Sequence, residues 1–440
     1  MRSQILLLTA LSSCGAAIWP APASFKNGTS VLWINGDISV SYDIAFSESS
    51  ARNGDLADDK IVRDATSRVL DTIEHKGLIP WRLRPRHSNF EPATANQKFI
   101  KSLKISQRGK KSILIPSEAD ESYNLTVSES GEALISSHST AGTLHGLQTF
   151  SQLFYRHSAG GSYTTLAPVS IVDAPKFKHR GVNLDISRSW YPVKDLLRTI
   201  DALSYNKMNT LHLHMSDSQS WPMEIPSIPE LSDKGSYYKG LTYSPEDIDH
   251  IQRYALQRGV SAYIEFDMPG HTTAIGLSHP ELVAAAGAKP WGSYCAEPPC
   301  GTLQLNNPKV YSFLNKLFAD VLPRVQNYSP YFHTGGDEVN ANAYTLDPTV
   351  KSSDHEVIRG YMQKFVDRNH AQVRRYHLAP IVWEEMLTDW NLTLGKDVVI
   401  QAWYTPINKI VATGHKVIAA DKTWVGRSRS YFFSSQLIGV

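Results

Sequence analysis

Cysteine is scarce, three in 440 residues, so neither a disulfide-dense scaffold nor a site built on two cysteine pairs is available. A surplus of one charge is also lacking. Lys and Arg number 44 against 42 for Asp and Glu, a net +2 with no block of one sign. This excludes a nucleic-acid footprint and a polybasic membrane patch, and suits a neutral or small polar substrate. Beyond the N-terminus no stretch approaches the ~18 to 20 apolar residues that a membrane helix needs. Neither nucleic acid nor membrane is expected as a partner. Core-forming residues, in contrast, are plentiful, at 42% hydrophobic and 10% aromatic, far from the composition of disorder. The length is roughly three times the ~150 residues of a typical domain, which predicts one large domain and a smaller companion.

The chain starts with Met1-Arg2, an apolar run from Ile5 to Leu11 and the small residues Gly15-Ala16-Ala17. That order of charge, short apolar run and small-residue site predicts a secretory signal over residues 1–17 and an extracellular protein. Cys14 would leave with it, and secretion then predicts a disulfide between Cys295 and Cys300. Asn27, Asn124, Asn327 and Asn391 each open an Asn-x-Ser/Thr sequon and are candidate glycosylation sites.

Residues 18–172 mix strand candidates (32–41, 112–116, 123–127) with helical stretches (58–75, 141–155), as in a compact α+β domain. A proline- and arginine-rich stretch, 81–96, reads as an exposed loop and a candidate processing site. From residue 173 to 420 the rhythm becomes strand, loop, helix, strand, which implies parallel strands covered by helices. Strands are expected at 180–187, 210–216, 261–267, 331–334, 380–385, 398–404 and 416–420. Helices are expected at 193–208, 244–258, 308–324, 356–376 and 406–413. Seven strands is one short of an eight-stranded (β/α) barrel.

Polar residues gather where these strands end: Asp185 to Arg188, His212 to Asp217, Glu265 to His271, His333 to Glu338, Trp383 to Glu385 and Gln401 to Tyr404. In a barrel those ends share the face where βα loops build an active site. Asp337 and Glu338 follow Gly335-Gly336, glycines expected to let a ligand approach the backbone closely. Of two adjacent carboxyls in a partly dry pocket, one is raised in pKa and the other stays anionic. An acid beside an anion is what cleavage of a glycosidic acetal requires.

These segments resemble the family 20 glycoside hydrolases, the β-N-acetylhexosaminidases, and above all their secreted fungal members. The resemblance is carried by His333-Thr-Gly-Gly-Asp337-Glu338, Glu265-Phe-Asp-Met-Pro-Gly-His271, Arg180-Gly-Val-Asn-Leu-Asp-Ile-Ser-Arg188, Asp217-Ser-Gln-Ser-Trp221 and the segment from Ala141 to Phe150. It implies a (β/α)₈ TIM barrel behind a small zincin-like domain that binds no zinc, with no cofactor and no metal. It also implies retaining hydrolysis, in which the 2-acetamido oxygen of a terminal N-acetylhexosamine attacks the anomeric carbon. Glu338 would be the acid and then the base, and Asp337 would orient the acetamide. Asp217 and His271 would tune Glu338, Arg188 would bind sugar hydroxyls, and Trp383 and Trp403 would wall the pocket. The partner is a carbohydrate with a terminal N-acetylhexosamine, and a homodimer is an option, since the family often pairs through its barrels. Trp221 reads as packing and His333 as support for the acids.

Tyr263 stands where the family commonly has proline. The Tyr, Trp and Glu that the family carries after its seventh and eighth strands find no counterpart, and residues 421–440 have no helical period. The tail is expected to be foreign to the fold, leaving a seven-stranded barrel with two open edges. Two other readings stay open: a non-catalytic sugar-binding remnant, and a metal-dependent hydrolase using His212, His214, Asp217, His271 and His333.

Overall fold

The computed structural model describes residues 18–44, 56–80, 84–111, 119–420 and 432–438. The expected signal, residues 1–17, and the strand expected at 112–116 lie outside them. The chain forms two compact units, with the break between Ala174 and Pro175, two residues beyond the expected boundary.

The first unit is a seven-stranded mixed sheet: β1 (Ser24–Ile34), β2 (Ser39–Ile44), β3 (Ser102–Lys111), β4 (Tyr123–Val127), β5 (Glu132–Ser139), β6 (Tyr155–Arg156) and β7 (Ser162–Asp173). Its order is β1-β7-β4-β5-β3-β2, with β6 on β7. The single strand expected at 32–41 is two strands, because Asn35-Gly36-Asp37 makes a turn between them. Helices Asp58–His75 and Thr140–Gln152 bury apolar side chains, among them Ile61, Val62, Leu147 and Phe150. Ser139 caps the second helix by accepting from Gly142 N at 3.1 Å. Residues 84–89 and 93–96 of the Pro- and Arg-rich stretch are exposed, as a loop should be.

The second unit is a barrel. Its parallel strands are β8 (Arg180–Asp185), β9 (Thr210–Ser216), β10 (Ser261–Phe266), then, after the short hairpin β11 (Val283–Ala284) and β12 (Thr302–Leu303), β13 (Tyr331–His333), β14 (Ala379–Trp383), β15 (Val399–Ala402) and β16 (Lys416–Ala419). Helices Val193–Tyr205, Pro245–Leu256, Pro308–Val325, His355–Arg375 and Ile407–Val411 follow strands in the expected alternation. Every residue of β9 and β10 is buried, as in parallel strands covered on both faces. Leu211, Leu213, Ile264, Phe266 and Phe332 pack outward on helix residues such as Leu196, Ile251 and Phe318. Trp221 is 1% exposed against Phe266, so it is core packing.

The expected open edges are corrected. Segment β17 (Phe432–Ile438) lies between β16 and β8, antiparallel to both, and closes the barrel. Two unpaired strand edges are a strong template for any nearby extended chain. A parallel eighth strand needs a crossover of a dozen or more residues that crosses the barrel's full height, whereas an antiparallel return does not. No helix among the described residues is long and apolar enough to cross a membrane.

Candidate active site

Side chains alternate along a strand, so His212 and His214 on β9, and Glu265 on β10 with Asp267 just beyond it, are aimed at the barrel interior. Asp217 and His271 sit on the loops above. The loop after β13 presents Asp337 and Glu338, and the ends of β14 and β15 add Glu385 and Trp403. The structure therefore brings Arg188, Asp217, His271, Asp337 and Glu338 to one mouth, as the sequence motifs imply.

Arg188 lies among three acids. Its Nη1 meets Asp185 Oδ2 at 2.9 Å, its Nη2 meets Asp217 Oδ2 at 2.8 Å, and its Nε donates to Glu297 Oε1 at 2.6 Å. Glu297 belongs to the loop stapled by the Cys295–Cys300 disulfide, which the structure contains. Asp217, 1% exposed, also accepts from Ser218 N at 2.5 Å and meets His271 Nδ1 at 3.1 Å. Burial disfavours its charge, but His271, His214 and Arg188 hold its carboxyl below the usual range. His271 Nε2 reaches Glu338 Oε2 at 3.3 Å. That contact is the main reason the Glu338 pKa is lowered, and its side chain is 34% exposed at the mouth. Burial alone would strip His271 of its proton, but Asp217, Asp267 and Glu338 raise its pKa well above the ordinary value. His271 and Glu338 thus share one proton that persists to high pH.

The raised carboxyl of the adjacent pair is therefore Asp337, and Glu338 is the lowered one. Burial lifts Asp337, with His271 opposing, and burial plus Asp337 lifts Asp267 far above its ordinary value. Among the described residues no donor reaches Asp267 Oδ2 or Asp337 Oδ1, both buried. The two carboxyls hydrogen-bond each other, which requires a proton shared between them. The pair then carries a single negative charge, and Asp337 Oδ1 stays free. Glu385, close by, is pushed up to about 9 by burial and by Asp337.

The two glycines do a different job from the expected one. Gly335 and Gly336 have φ of 72° and 108°, conformations that favour glycine. A Cβ on Gly335 would lie 2.0 Å from Asp267 Oδ1, and one on Gly336 would lie 2.7 Å from Met386 Cγ. The missing side chain of Gly335 makes room for Asp267, which accepts from Gly336 N at 2.9 Å, and that of Gly336 makes room for Met386, and neither for a ligand.

Trp403 is half-buried and donates from Nε1 to Glu385 Oε1 at 3.1 Å. Trp383 sits deeper, 5% exposed, with its indole N–H on Glu265 Oε1 at 2.7 Å. His333 is fully buried, accepts from Gly335 N at 3.0 Å, and is kept neutral by burial, which lowers its pKa to about 3. It supports the acids and does not reach the mouth. Tyr263 fills the barrel, its ring stacked on His212 at 4.6 Å. Glu384 accepts backbone N–H groups from Trp403, Tyr404 and Thr405 at 2.7 to 3.2 Å and so fastens the loop after β15.

Sequence reasoning gave no role to Glu265, Asp267, Glu297, Glu384 or Glu385. The spacing of two in Glu265-Phe-Asp267 was the available signal, since it puts both acids on one face of a strand. Some of the imidazoles and carboxylates come close enough for an ion, such as His214, Asp217 and Asp267. Both nitrogens of His214 and of His271, however, already face carboxylates.

A family model described as "Glycosyl hydrolase family 20, catalytic domain" matches residues 177–426, and a second, "beta-acetyl hexosaminidase like", matches 18–153. The chain belongs to glycoside hydrolase family 20. A beta-hexosaminidase of Arthroderma benhamiae is 38% identical over 91% of this chain and 74% of its own length. The human beta-hexosaminidase subunit beta is 30% identical over 92% of this chain and 70% of its own. Among solved structures, a Flavobacterium johnsoniae chitobiase of family 20 superposes with a TM-score of 0.71 at 26% identity, covering 92% of this chain. A Vibrio harveyi exo beta-N-acetylglucosaminidase gives a TM-score of 0.72 at 22% identity over 97% of this chain. The chain spans 59% and 63% of those two proteins. Membership of a glycosidase family favours an acid–base site over the metal-dependent reading.

Proposed function

We propose that the chain is an exo-β-N-acetylhexosaminidase that releases terminal non-reducing N-acetylhexosamine from chito-oligosaccharides or glycans, with the substrate's own acetamide as nucleophile. The observation that carries this reading is the division of labour between two neighbouring carboxyls. Asp337 is buried, shares a proton and one negative charge with Asp267 and keeps one oxygen free, fit to accept an acetamide N–H, to turn the carbonyl oxygen towards the anomeric carbon and to offset the positive charge that develops there. Glu338, accessible and sharing a proton with His271, is fit to protonate the departing glycosidic oxygen.

As the acetamide oxygen bonds to the anomeric carbon, the bond to the aglycone breaks and its oxygen takes the proton from Glu338. Water then attacks the same carbon, gives a proton to Glu338 and restores the acetamide, so configuration is retained. A bound sugar strips water from Glu338, which favours its neutral form, and the proton held with His271 is the one it takes. In this reading Arg188, held by its three acids at the mouth, binds sugar hydroxyls, and Trp403 gives the pocket an apolar wall. The tyrosine that family members place on the acetamide oxygen has no assigned counterpart.

Secretion and glycosylation are part of the same proposal. Asn27, Asn124, Asn327 and Asn391 are all exposed, as acceptors of N-glycans must be. Pairing through the barrels, also proposed, is read out by the mass of the purified protein in solution. The activity is tested with a chromogenic β-N-acetylglucosaminide. Glu338→Gln should lower kcat by about 10² to 10⁴, and Asp337→Asn should lower kcat with a smaller change in KM. Full turnover by both variants would refute the assignment.

A further inference from the structure

The chain of hydrogen bonds that starts at Glu338 continues past Asp217 into the barrel. His214 has Nδ1 at 2.8 Å from Glu265 Oε2 and Nε2 at 2.8 Å from Asp217 Oδ2. With a carboxylate at each end, the ring must carry two protons. His271 stands in the same relation to Asp217 and Glu338. Charges therefore alternate from the interior to the mouth: Glu265 negative, His214 positive, Asp217 negative, His271 positive, then Glu338. Glu265 is 0% exposed and takes three donors, His212 Nε2 at 2.7 Å, His214 Nδ1 and Trp383 Nε1 at 2.7 Å. A branched aliphatic residue is the usual filling of a parallel barrel, and burying an ion costs several kcal/mol before its partners compensate.

We propose that Glu265 is a positioning residue for Glu338, acting through His214, Asp217 and His271 from a depth in the barrel that the sugar does not reach. This rests on the proposed hydrolytic function and deepens it. Glu265 faces His212 and His214 from β9, His333 from β13 and Asp267 beyond its own strand. His214 faces Glu265, Asp217 and Asp185. Glu338 faces His271, Arg188, Asp217 and Asp337. Glu265→Gln keeps the shape of the side chain and removes its charge. In dry surroundings His214, deprived of its inner anion, sheds a proton. Its Nε2–H still reaches Asp217, but Asp217 is no longer charge-compensated from behind. Arg188 still faces Asp217 Oδ2 at 2.8 Å, but with one counter-charge fewer more of the Asp217 field falls on His271 and Glu338, and that pair holds its shared proton to higher pH.

For Glu265→Gln, the basic limb of the kcat/KM profile should move up by about half a pH unit or more. At the same time kcat should fall about 10- to 100-fold, with KM within about twofold. A merely structural role would lower the amount of folded enzyme and leave the limb in place. A profile superimposable on that of the wild type overturns the proposal, as does a rise in KM alone. Should Glu265→Gln fail to fold, His214→Gln removes the next link and must move the same limb, and an unmoved limb there overturns it equally. Imidazole ¹⁵N signals give a readout independent of turnover. Near about pH 8, where an unperturbed imidazole is neutral, the wild type should show doubly protonated rings for His214 and His271, and Glu265→Gln should lose the first. An unchanged spectrum sinks the proposal. A wild type without activity would count against the hydrolytic function, and the imidazole signals would still decide this inference.

Discussion

Glu385 is a carboxyl kept neutral by its surroundings, and that leaves a mark on stability. Its pKa in the fold is about 9 against an ordinary 4.5, so between those values the folded chain binds a proton that the unfolded chain has released. The Glu385 contribution to stability is therefore fullest below about pH 4.5 and declines as pH rises towards 9, by about 1.4 kcal/mol per pH unit for one proton. Glu385→Gln keeps an oxygen for the Trp403 indole and has no proton to lose. Its thermal midpoint should be flatter across that window than the wild type's, and an equal slope in both proteins would show that Glu385 is ionised in the fold. At this scale the sequence was legible where chemistry follows chain order. Asp337 and Glu338 stand out because a strand and two glycines precede them. Asp267, Glu265 and Glu385 did not, because each is defined by what faces it across the barrel, such as Gly336 N, 69 residues from Asp267.

Loops and helices put opposite demands on glycine, and two substitutions separate them. Gly335 has a left-handed φ and Asp267 where a Cβ would go. Gly335→Ala should displace Asp267, lower stability by about 1 to 3 kcal/mol through backbone strain, and remove activity. Gly360 lies in the exposed interior of helix His355–Arg375, with nothing within 4 Å of a Cβ. There alanine should raise stability by about 0.5 to 1 kcal/mol at unchanged turnover. Denaturant midpoints and turnover of the two variants check both statements, and a stable, active Gly335→Ala would remove the reason given for that glycine. The same contrast of local and distant causes decides which elements could be read. Helix Asp58–His75 was placed to the residue, and all seven parallel barrel strands within a few residues, because each carries its own periodicity. β3, β5 and β7 were missed. The sequence of β3, Ser-Leu-Lys-Ile-Ser-Gln-Arg-Gly-Lys-Lys, has few strand-forming residues, and it is extended because it pairs with β2 and β5. β7 contains Pro168, which argues against a strand in sequence, but its partner β1 shifts register beside it.

The barrel as a whole depends on a segment that reads as irregular. β17 pairs Phe432 to Gln436 with Leu184 to Arg180, and Gln436 to Ile438 with Ala419 to Val417, so one short strand covers both edges left by the seven parallel strands. Without it β8 and β16 would expose rows of N–H and C=O groups on strands whose faces are apolar, the pattern that drives edge-to-edge association. A chain ending at Ala420 should therefore be recovered as aggregate, or fail to refold after dilution from urea. The finer test is Ser434→Pro, opposite Val182 in the register. Proline lacks the backbone N–H and disfavours a strand interior, so at Ser434, where β17 pairs with β8, it should weaken closure while leaving the rest of the barrel sequence untouched. Chromatography and amide exchange separate the outcomes. Closure by β17 predicts faster exchange along Arg180–Asp185 and Lys416–Ala419, with β10 and β13 unaffected. If both edges exchange at the wild-type rate in a soluble Ser434→Pro protein, another part of the chain seals the barrel.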